Sequence, residues 1–262
     1  MLTLLFQGWC CVAAMMLVLW LRQWRTNDAS LVDVGWTYGL GLLAVFYAVY
    51  GTGWIGRRLL LGLLAGVWSL RLGTYLYLNR VRGKPEDGRY QTLRTSWGKR
   101  QHPYFFLFFQ AQALLDVIFS LSFLPIALDA RVGFTALEWG AIGLWLVAIG
   151  GEALADVQLA KFRSDRQNRG RTCRLGLWRY SRHPNYFFEW LHWWTYVLLG
   201  ISAPRGALTL VAPALLLYLL WKVTGIPATE AQALKSRGED YRRYQAETSA
   251  FIPWFPRKGV LP

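Results

Sequence analysis

The sequence predicts an all-α protein, a polytopic membrane helix bundle with about seven transmembrane helices. Three observations carry that expectation. Apolar residues make up 54% of the 262 and charged residues only 17%, where a soluble domain carries about 25% charge. Aromatic residues reach 16%, with 15 Trp, a class enriched at membrane–water interfaces. The charge is lopsided, 29 Lys and Arg against 15 Asp and Glu, and it is spread unevenly along the chain. This balance excludes a disordered chain and fits a soluble enzyme with one core poorly.

The first element covers 2–21, twenty residues without a formal charge. That length crosses about 30 Å of hydrocarbon. A cleaved signal peptide has a positive start and a shorter apolar stretch, and this segment has neither. Further spans are expected at 31–50, 59–79, 104–128, 134–158, 185–201 and 207–223. The last two are short and carry polar residues. Seven spans place 22–30, 80–102, 159–184 and 222–262 on one side, with 2, 7, 8 and 7 basic residues, 24 of the 29. Arg57, Arg58, Arg131 and Arg205 face the other side, and Arg71 lies within the third span. By the positive-inside rule the N-terminus is expected outside and the C-terminus in the cytoplasm. A bacterial inner membrane is the expected location. Topology accounts for most of the positive charge, which leaves no soluble basic domain for nucleic acid. Gln101-His102-Pro103-Tyr104-Phe105-Phe106 resembles Arg182-His183-Pro184-Asn185-Tyr186-Phe187-Phe188. Proline is common in the first turn of a helix, so coincidence is favoured over duplication.

Ionisable groups inside spans are costly and usually functional. Glu152, Asp156 and Arg163 are spaced by four and seven residues, which puts them on one helical face. Asn185, Glu189, His192 and Tyr196 share a face of the sixth span. Paired packing groups are the plainer reading of either stripe. Two stripes joined by a loop with eight basic residues favour a polar ligand site. Asp33, Arg71 and Asp116 are lone intramembrane charges, for which a structural pairing of Arg71 with Asp33 or Asp116 is expected. Arginine forks grip phosphate bidentately, although the same cluster serves as a topology signal at lipid headgroups. No glycine-rich phosphate turn is present. No histidine or cysteine pair has zinc spacing, so no metal is expected. No Gly-x-Ser-x-Gly elbow is present.

The stretch Gly176-Leu177-Trp178-Arg179-Tyr180-Ser181-Arg182-His183-Pro184-Asn185-Tyr186, followed by Glu189, resembles the C-terminal domain of the steroid 5α-reductase-like membrane family, in its bacterial, largely uncharacterised branch. Sterol C14 reductases share the Arg-His-Pro-Asn-Tyr core. The resemblance extends to Glu152-Ala-Leu-Ala-Asp156 with Arg163, to Asn168-Arg169-Gly170, to Glu230, Tyr241 and Tyr244, and to Phe251-Ile252-Pro253-Trp254. It covers roughly 75–256 and is strongest over 150–190. It implies an NADPH-dependent membrane reductase, with NADH also compatible, that passes hydride to an activated carbon–carbon double bond of a lipophilic, steroid- or lipid-like substrate. By motif position Asp156, Arg163, Arg179, Asn185 and Glu189 would contact the cofactor. Glu152, Arg171, Tyr180, Arg182, His183, Glu230 and Tyr241 complete the candidate cofactor set. Tyr90, with Glu86 in the same polar loop, is the candidate catalytic group, stabilising oxyanion charge and returning a proton.

The chain then reads as one integral membrane domain over 1–262. Residues 1–128 form the lipid-substrate side and 134–262 the cofactor-binding half, with the lipid entering sideways from the bilayer. The pattern departs from the family in places. Phe188 stands where relatives have Gly, Glu152 where animal steroid reductases have Asn, and their early Gln-Glu pair has no clear counterpart. Pro227-Ala-Thr-Glu230 replaces their His-rich stretch. Isoprenylcysteine carboxyl methyltransferases, which use S-adenosylmethionine, also carry Arg-His-Pro-x-Tyr and are the alternative. A non-catalytic lipid-binding or transport protein is the third reading.

Overall fold

The computed structural model describes residues 1–257, and the secondary structure among them is helical, with no strand. Six segments are long and apolar enough to cross a bilayer: Leu2–Thr26, Leu31–Tyr50, Ile55–Val81, Gly88–Ser120, Ala136–Ser164 and Gly206–Arg237. The expected sixth span, Pro184–Gly200, has 17 residues. At 1.5 Å per residue it covers about 25 Å, short of the roughly 30 Å of a hydrocarbon core. A count of seven is therefore approximate. The chain divides into two compact units, Met1–Phe134 with Gly200–Ala212, and Thr135–Leu199 with Pro213–Pro262.

In the first unit, α1 (Leu2–Thr26) buries only Gly8, Val12, Met16 and Gln23. These four lie four, four and seven residues apart, one stripe of a helix. Phe6 and Val18 on the other faces are exposed, as an apolar helix in lipid requires. Asn27 ends it in the left-handed conformation, φ 51°, and its N–H donates to the Gln23 carbonyl. α2 (Leu31–Tyr50) and α3 (Ile55–Leu76) form a tight pair. Gly41 has no Cβ where the Ser69 side chain sits, and the Ser69 hydroxyl donates to the Thr37 carbonyl at 2.9 Å. Small residues permit such approach where the surrounding lipid is as apolar as the helices. α3 continues through one π-turn over Tyr77–Val81.

Residues 80–102, expected as a loop, contain α4 (Gly88–Trp97), whose start is capped by Asp87 accepting from the Arg89 N–H. α5 (Gln101–Ser120) begins earlier than expected and stops at Ser120. The expected span to 128 is broken by turns before α6 (Leu124–Leu128). The Ser122 hydroxyl lies in that break, donating to the Thr209 carbonyl at 3.1 Å and accepting from the Ala212 N–H at 3.2 Å. Two of the basic residues expected on the outer side fasten the chain around Asp129. Arg57 is buried, donates to the Arg131 and Gly133 carbonyls, and pairs with Asp129 at 3.6 Å. Arg131 pairs with the same carboxylate at 2.6 Å. Burial raises the Asp129 carboxyl, but the bonds from Arg131 and the charge of Arg57 outweigh it and leave the group below its ordinary value.

The expected structural pairing of Arg71 with Asp33 or Asp116 does not form. Asp33 is held by Arg89 and Tyr90. Neither carboxyl oxygen of Asp116 has a hydrogen-bond partner. Asp116 sits against Gly39 of α2, where a Cβ would strike the carboxyl.

In the second unit, α7 (Ala136–Ser164) opens on a capping box in which Thr135 accepts from the Glu138 N–H and the Glu138 side chain from the Thr135 N–H. That reciprocal cap satisfies two donors that a helix start otherwise leaves orphaned. α7 runs six residues past the expected 158, carrying its polar stripe out towards the basic connection. α8 (Pro184–Gly200) follows two short 3-10 turns, and α9 (Val211–Lys222), α10 (Ile226–Arg237) and α11 (Glu239–Glu247) complete the unit. The two similar His-Pro segments have a common local role: one opens α5 and the other α8. Phe188 of α8 lies over Gly151 of α7, filling the volume a Cβ would take. A bulky ring on α8 is thus matched by a missing side chain on α7.

Candidate functional site

The connection 165–183 starts at Asp165, which leaves the helix of α7 in an extended conformation. Asp165 accepts from the Gln167 N–H at 2.9 Å, and the Asn168 amide donates to the Phe162 carbonyl at 3.0 Å. Gly170, at φ 79°, turns the chain in a conformation that favours glycine. The Thr172 N–H donates to Asp240 at 2.7 Å. These anchors open a cleft of about 760 Å³ lined by Arg163, Arg166, Arg169, Arg171 and Arg237, together with Phe162, Asp165, Asn168, Cys173 and Ser236. Five guanidinium groups face one carboxylate there. Burial pushes the Cys173 thiol up, so it lines the cleft as a neutral group. A second cleft of about 530 Å³ shares Phe162, Asn168, Gly170 and Arg171, and adds Thr172, Arg174 and Asp240. Burial raises the Asp240 carboxyl, but its bonds with Thr172 and the charge of Arg174 prevail and hold it below its ordinary value.

Four of the expected cofactor residues meet in a different place. Arg182 Nε donates to Glu230 at 2.7 Å, and its Nη1 donates to the Gln245 and Thr248 carbonyls at 2.8 and 2.9 Å. His183 Nε2 lies 3.2 Å from the same carboxylate, and the Gln245 amide donates to its other oxygen at 2.7 Å. Tyr241 is buried here; burial first, then the Glu230 charge, pushes its phenol up to about 12. The hydrogen-bonding atoms of this knot are largely committed to protein partners. Tyr244 closes the motif from below, its hydroxyl donating to the Trp178 and Ser181 carbonyls. The Tyr180 carbonyl accepts from the Trp254 N–H at 2.9 Å. Arg179 is exposed and lines neither basic cleft.

On the α7 stripe, Glu152 and Asp156 are buried, and Arg163 emerges into the large cleft. On α8, Glu189 accepts from the Trp193 indole at 3.2 Å, and His192 bonds the Tyr196 hydroxyl at 2.8 Å. Asn185 is half-buried in the first turn. The Gly151–Phe188 contact sets the Glu152 turn of α7 beside the Glu189 turn of α8.

The first unit holds the remaining candidates. The Tyr90 hydroxyl donates to Asp33 at 2.7 Å, and Arg89 donates to the other Asp33 oxygen at 2.6 Å. Tyr90 is buried against Phe108. Glu86 forms a two-pronged pair with Arg94, at 2.8 and 3.1 Å, and accepts from the Ala29 N–H at 2.8 Å. Its oxygens thus tie the α1–α2 turn to the start of α4. Burial raises the Asp87 carboxyl between them, but bonds from Arg89 bring it below its ordinary value. Sequence reasoning missed Asp33 as the partner of Tyr90, because the two lie 57 residues apart. It also missed Arg237, whose only signal was a basic residue closing a short polar helix.

Residues 19–248 match a family described as a protein of unknown function, DUF1295, and the chain belongs to that family. The uncharacterized protein C594.04c of Schizosaccharomyces pombe is 28% identical over 263 residues, covering 90% of this chain and 76% of the relative. No solved structure matches the chain.

Proposed function

We propose that the chain is an integral membrane reductase that binds NADPH, or NADH in its place, in the arginine cleft of its second unit and reduces an activated carbon–carbon double bond of a lipophilic substrate. The observation that carries this reading is the cleft itself, with Arg163, Arg166, Arg169, Arg171 and Arg237 around one hollow of about 760 Å³. Five like charges repel unless a polyanion joins them, and guanidinium forks match phosphate oxygens two at a time. A dinucleotide supplies such a polyanion. S-adenosylmethionine carries a sulfonium cation and no phosphate, so the same cleft disfavours the methyltransferase alternative. When bound, the nicotinamide supplies hydride; the protein supplies position and electrostatics.

Tyr90 is the proposed proton donor. Its phenol rests on Asp33, which Arg89 holds in turn; to act, the hydroxyl would give up its bond to Asp33 and turn its one proton to the substrate oxygen, with Arg89 left to hold the Asp33 carboxylate. Glu86 contributes by holding that loop through Arg94 and Ala29. The C-terminus is proposed to face the cytoplasm of a bacterial inner-membrane protein, from the distribution of basic residues.

The deciding experiment is to purify the chain in mild detergent, identify any retained ligand by mass spectrometry, and titrate NADPH, NADH and S-adenosylmethionine. Saturable binding of a nicotinamide nucleotide is expected. Binding of S-adenosylmethionine with neither nucleotide would replace the reading with the methyltransferase one. Once an enone substrate is found, Tyr90→Phe should lower turnover and leave nucleotide affinity unchanged.

A further inference from the structure

The chain leaves α11 as an irregular segment over 248–257 with large apolar side chains on its surface. Ile252 is 60% exposed, Trp254 69% and Phe255 76%. The segment is nevertheless fixed by its backbone. The Arg182 N–H donates to the Ser249 carbonyl at 2.8 Å, the Trp254 N–H to the Tyr180 carbonyl and the Arg257 N–H to the Glu247 carbonyl, both at 2.9 Å. The Ser181 hydroxyl adds a bond to the Phe251 carbonyl at 2.7 Å. Three large apolar residues are thus presented outward on a tethered backbone.

Their position says what meets them. Phe251, buried in the same segment, packs its ring on Phe187 and Trp190 of α8 and on Trp221, at 5.7, 5.8 and 6.1 Å. Trp221 is one residue from the end of the apolar helix α9, and it and Tyr218 are exposed on that helix. The exposed trio therefore begins one residue beyond a ring cluster at the end of α9, where the strongly apolar part of the Gly206–Arg237 segment gives way to Lys222 and the polar α10, and that change from apolar to polar sets the bilayer interface there. Tryptophan prefers that layer, with its ring in the headgroup region. A cleft of about 600 Å³ runs beside the trio, lined by Arg182, Thr248, Ser249, Trp254, Phe255 and Arg257 among others. Arg182 is neutralised by Glu230, whereas Arg257 is exposed and available to a lipid phosphate.

We infer that residues 251–257 form an interfacial anchor. Ile252, Trp254 and Phe255 insert among phospholipid headgroups of the leaflet into which α9 opens, and Arg257 engages an anionic lipid phosphate. This does not depend on the reductase reading, because it rests on residues outside the arginine cleft.

The test places a photoreactive benzophenone side chain at 254, at 255, and at 242 as a control on the exposed face of α11. The full chain is reconstituted in vesicles of phosphatidylethanolamine with phosphatidylglycerol, and in vesicles of phosphatidylcholine alone. Illumination should yield phospholipid adducts at 254 and 255, several-fold above those at 242. The yield should be at least two-fold higher in the anionic vesicles, and Arg257→Gln should abolish that difference. Adducts to a second copy of the chain, equal labelling at 242, or no lipid adduct at 254 and 255 would overturn the anchor. Equal yields in both vesicle types would overturn the anionic contact.

Discussion

Replacing Arg182 by Met separates two roles that the Arg-His-Pro motif leaves open, holding the cofactor and holding the chain together. Arg182 donates three hydrogen bonds, to Glu230 and to the Gln245 and Thr248 carbonyls. The pair with Glu230 is largely buried, with side-chain exposures of 12% and 15%. Removing one partner of a fully buried pair costs about 3–5 kcal/mol, whereas a solvated pair contributes up to about 1 kcal/mol. The remaining exposure and the bonds Glu230 keeps from His183 and Gln245 reduce the higher figure. Arg182→Met should therefore destabilise the protein by about 2–4 kcal/mol. Glu230→Gln keeps shape and one acceptor, and should cost about 1–2 kcal/mol. Unfolding free energies of the wild type, both single variants and the double variant, from detergent-unfolding titrations in mixed micelles, close a double-mutant cycle. A coupling of about 1–3 kcal/mol is expected for residues in one network. Nucleotide affinity of folded Arg182→Met should stay within about two-fold of wild type, a span of roughly 0.4 kcal/mol by the affinity scale. A coupling below about 0.3 kcal/mol, the scatter of independent sites, would refute the knot. A large loss of affinity at unchanged stability would return Arg182 to the cofactor site.

Arg171 lines both basic clefts, so Arg171→Ala should weaken nucleotide binding by about ten- to a hundred-fold, from roughly 1.5–3 kcal/mol per charged hydrogen bond; calorimetry at unchanged thermal midpoint checks it. The Asp240 carboxyl is depressed in the fold, so its stabilisation is present above the unfolded value near about 4 and lost as pH falls through the lower folded value. Melting from pH 5 down to pH 3 should accordingly show a smaller acid loss in Asp240→Asn than in wild type. Gly151→Leu drives a side chain into the Phe188 ring and should cost at least about 1–3 kcal/mol, the usual range for overpacking; adding Phe188→Ala should recover part of it, and no recovery would mean that the two do not touch. Reporter fusions at the C-terminus should be active with a cytoplasmic partner and silent with a periplasmic one, and the reverse result would invert the topology.

Hydropathy and helical period are properties of short segments, so the apolar spans were legible before any contact was known. The same holds for the Glu152–Asp156–Arg163 stripe, fixed by spacings within one helix, and for the basic connection, fixed by composition. What the chain alone left open is which polar groups meet. Asp33 reads as a stray intramembrane charge until it is found 2.7 Å from the Tyr90 hydroxyl across 57 residues. Arg182, Arg179 and Arg171 look alike as arginines in one loop. Tertiary structure commits the first to Glu230 across 48 residues, leaves the second in solvent, and turns the third into a cleft wall. The break in α5 at Ser120 and the helix over Gly88–Trp97 were hidden for the same reason. Each depends on a partner elsewhere, the 200–212 segment for Ser122 and Ser30 for the Asp87 N–H. A local pattern states what a residue needs, whether burial, a counter-charge or a cap. Only the packed chain decides which distant group supplies it, because that supplier is selected by shape and not by sequence spacing.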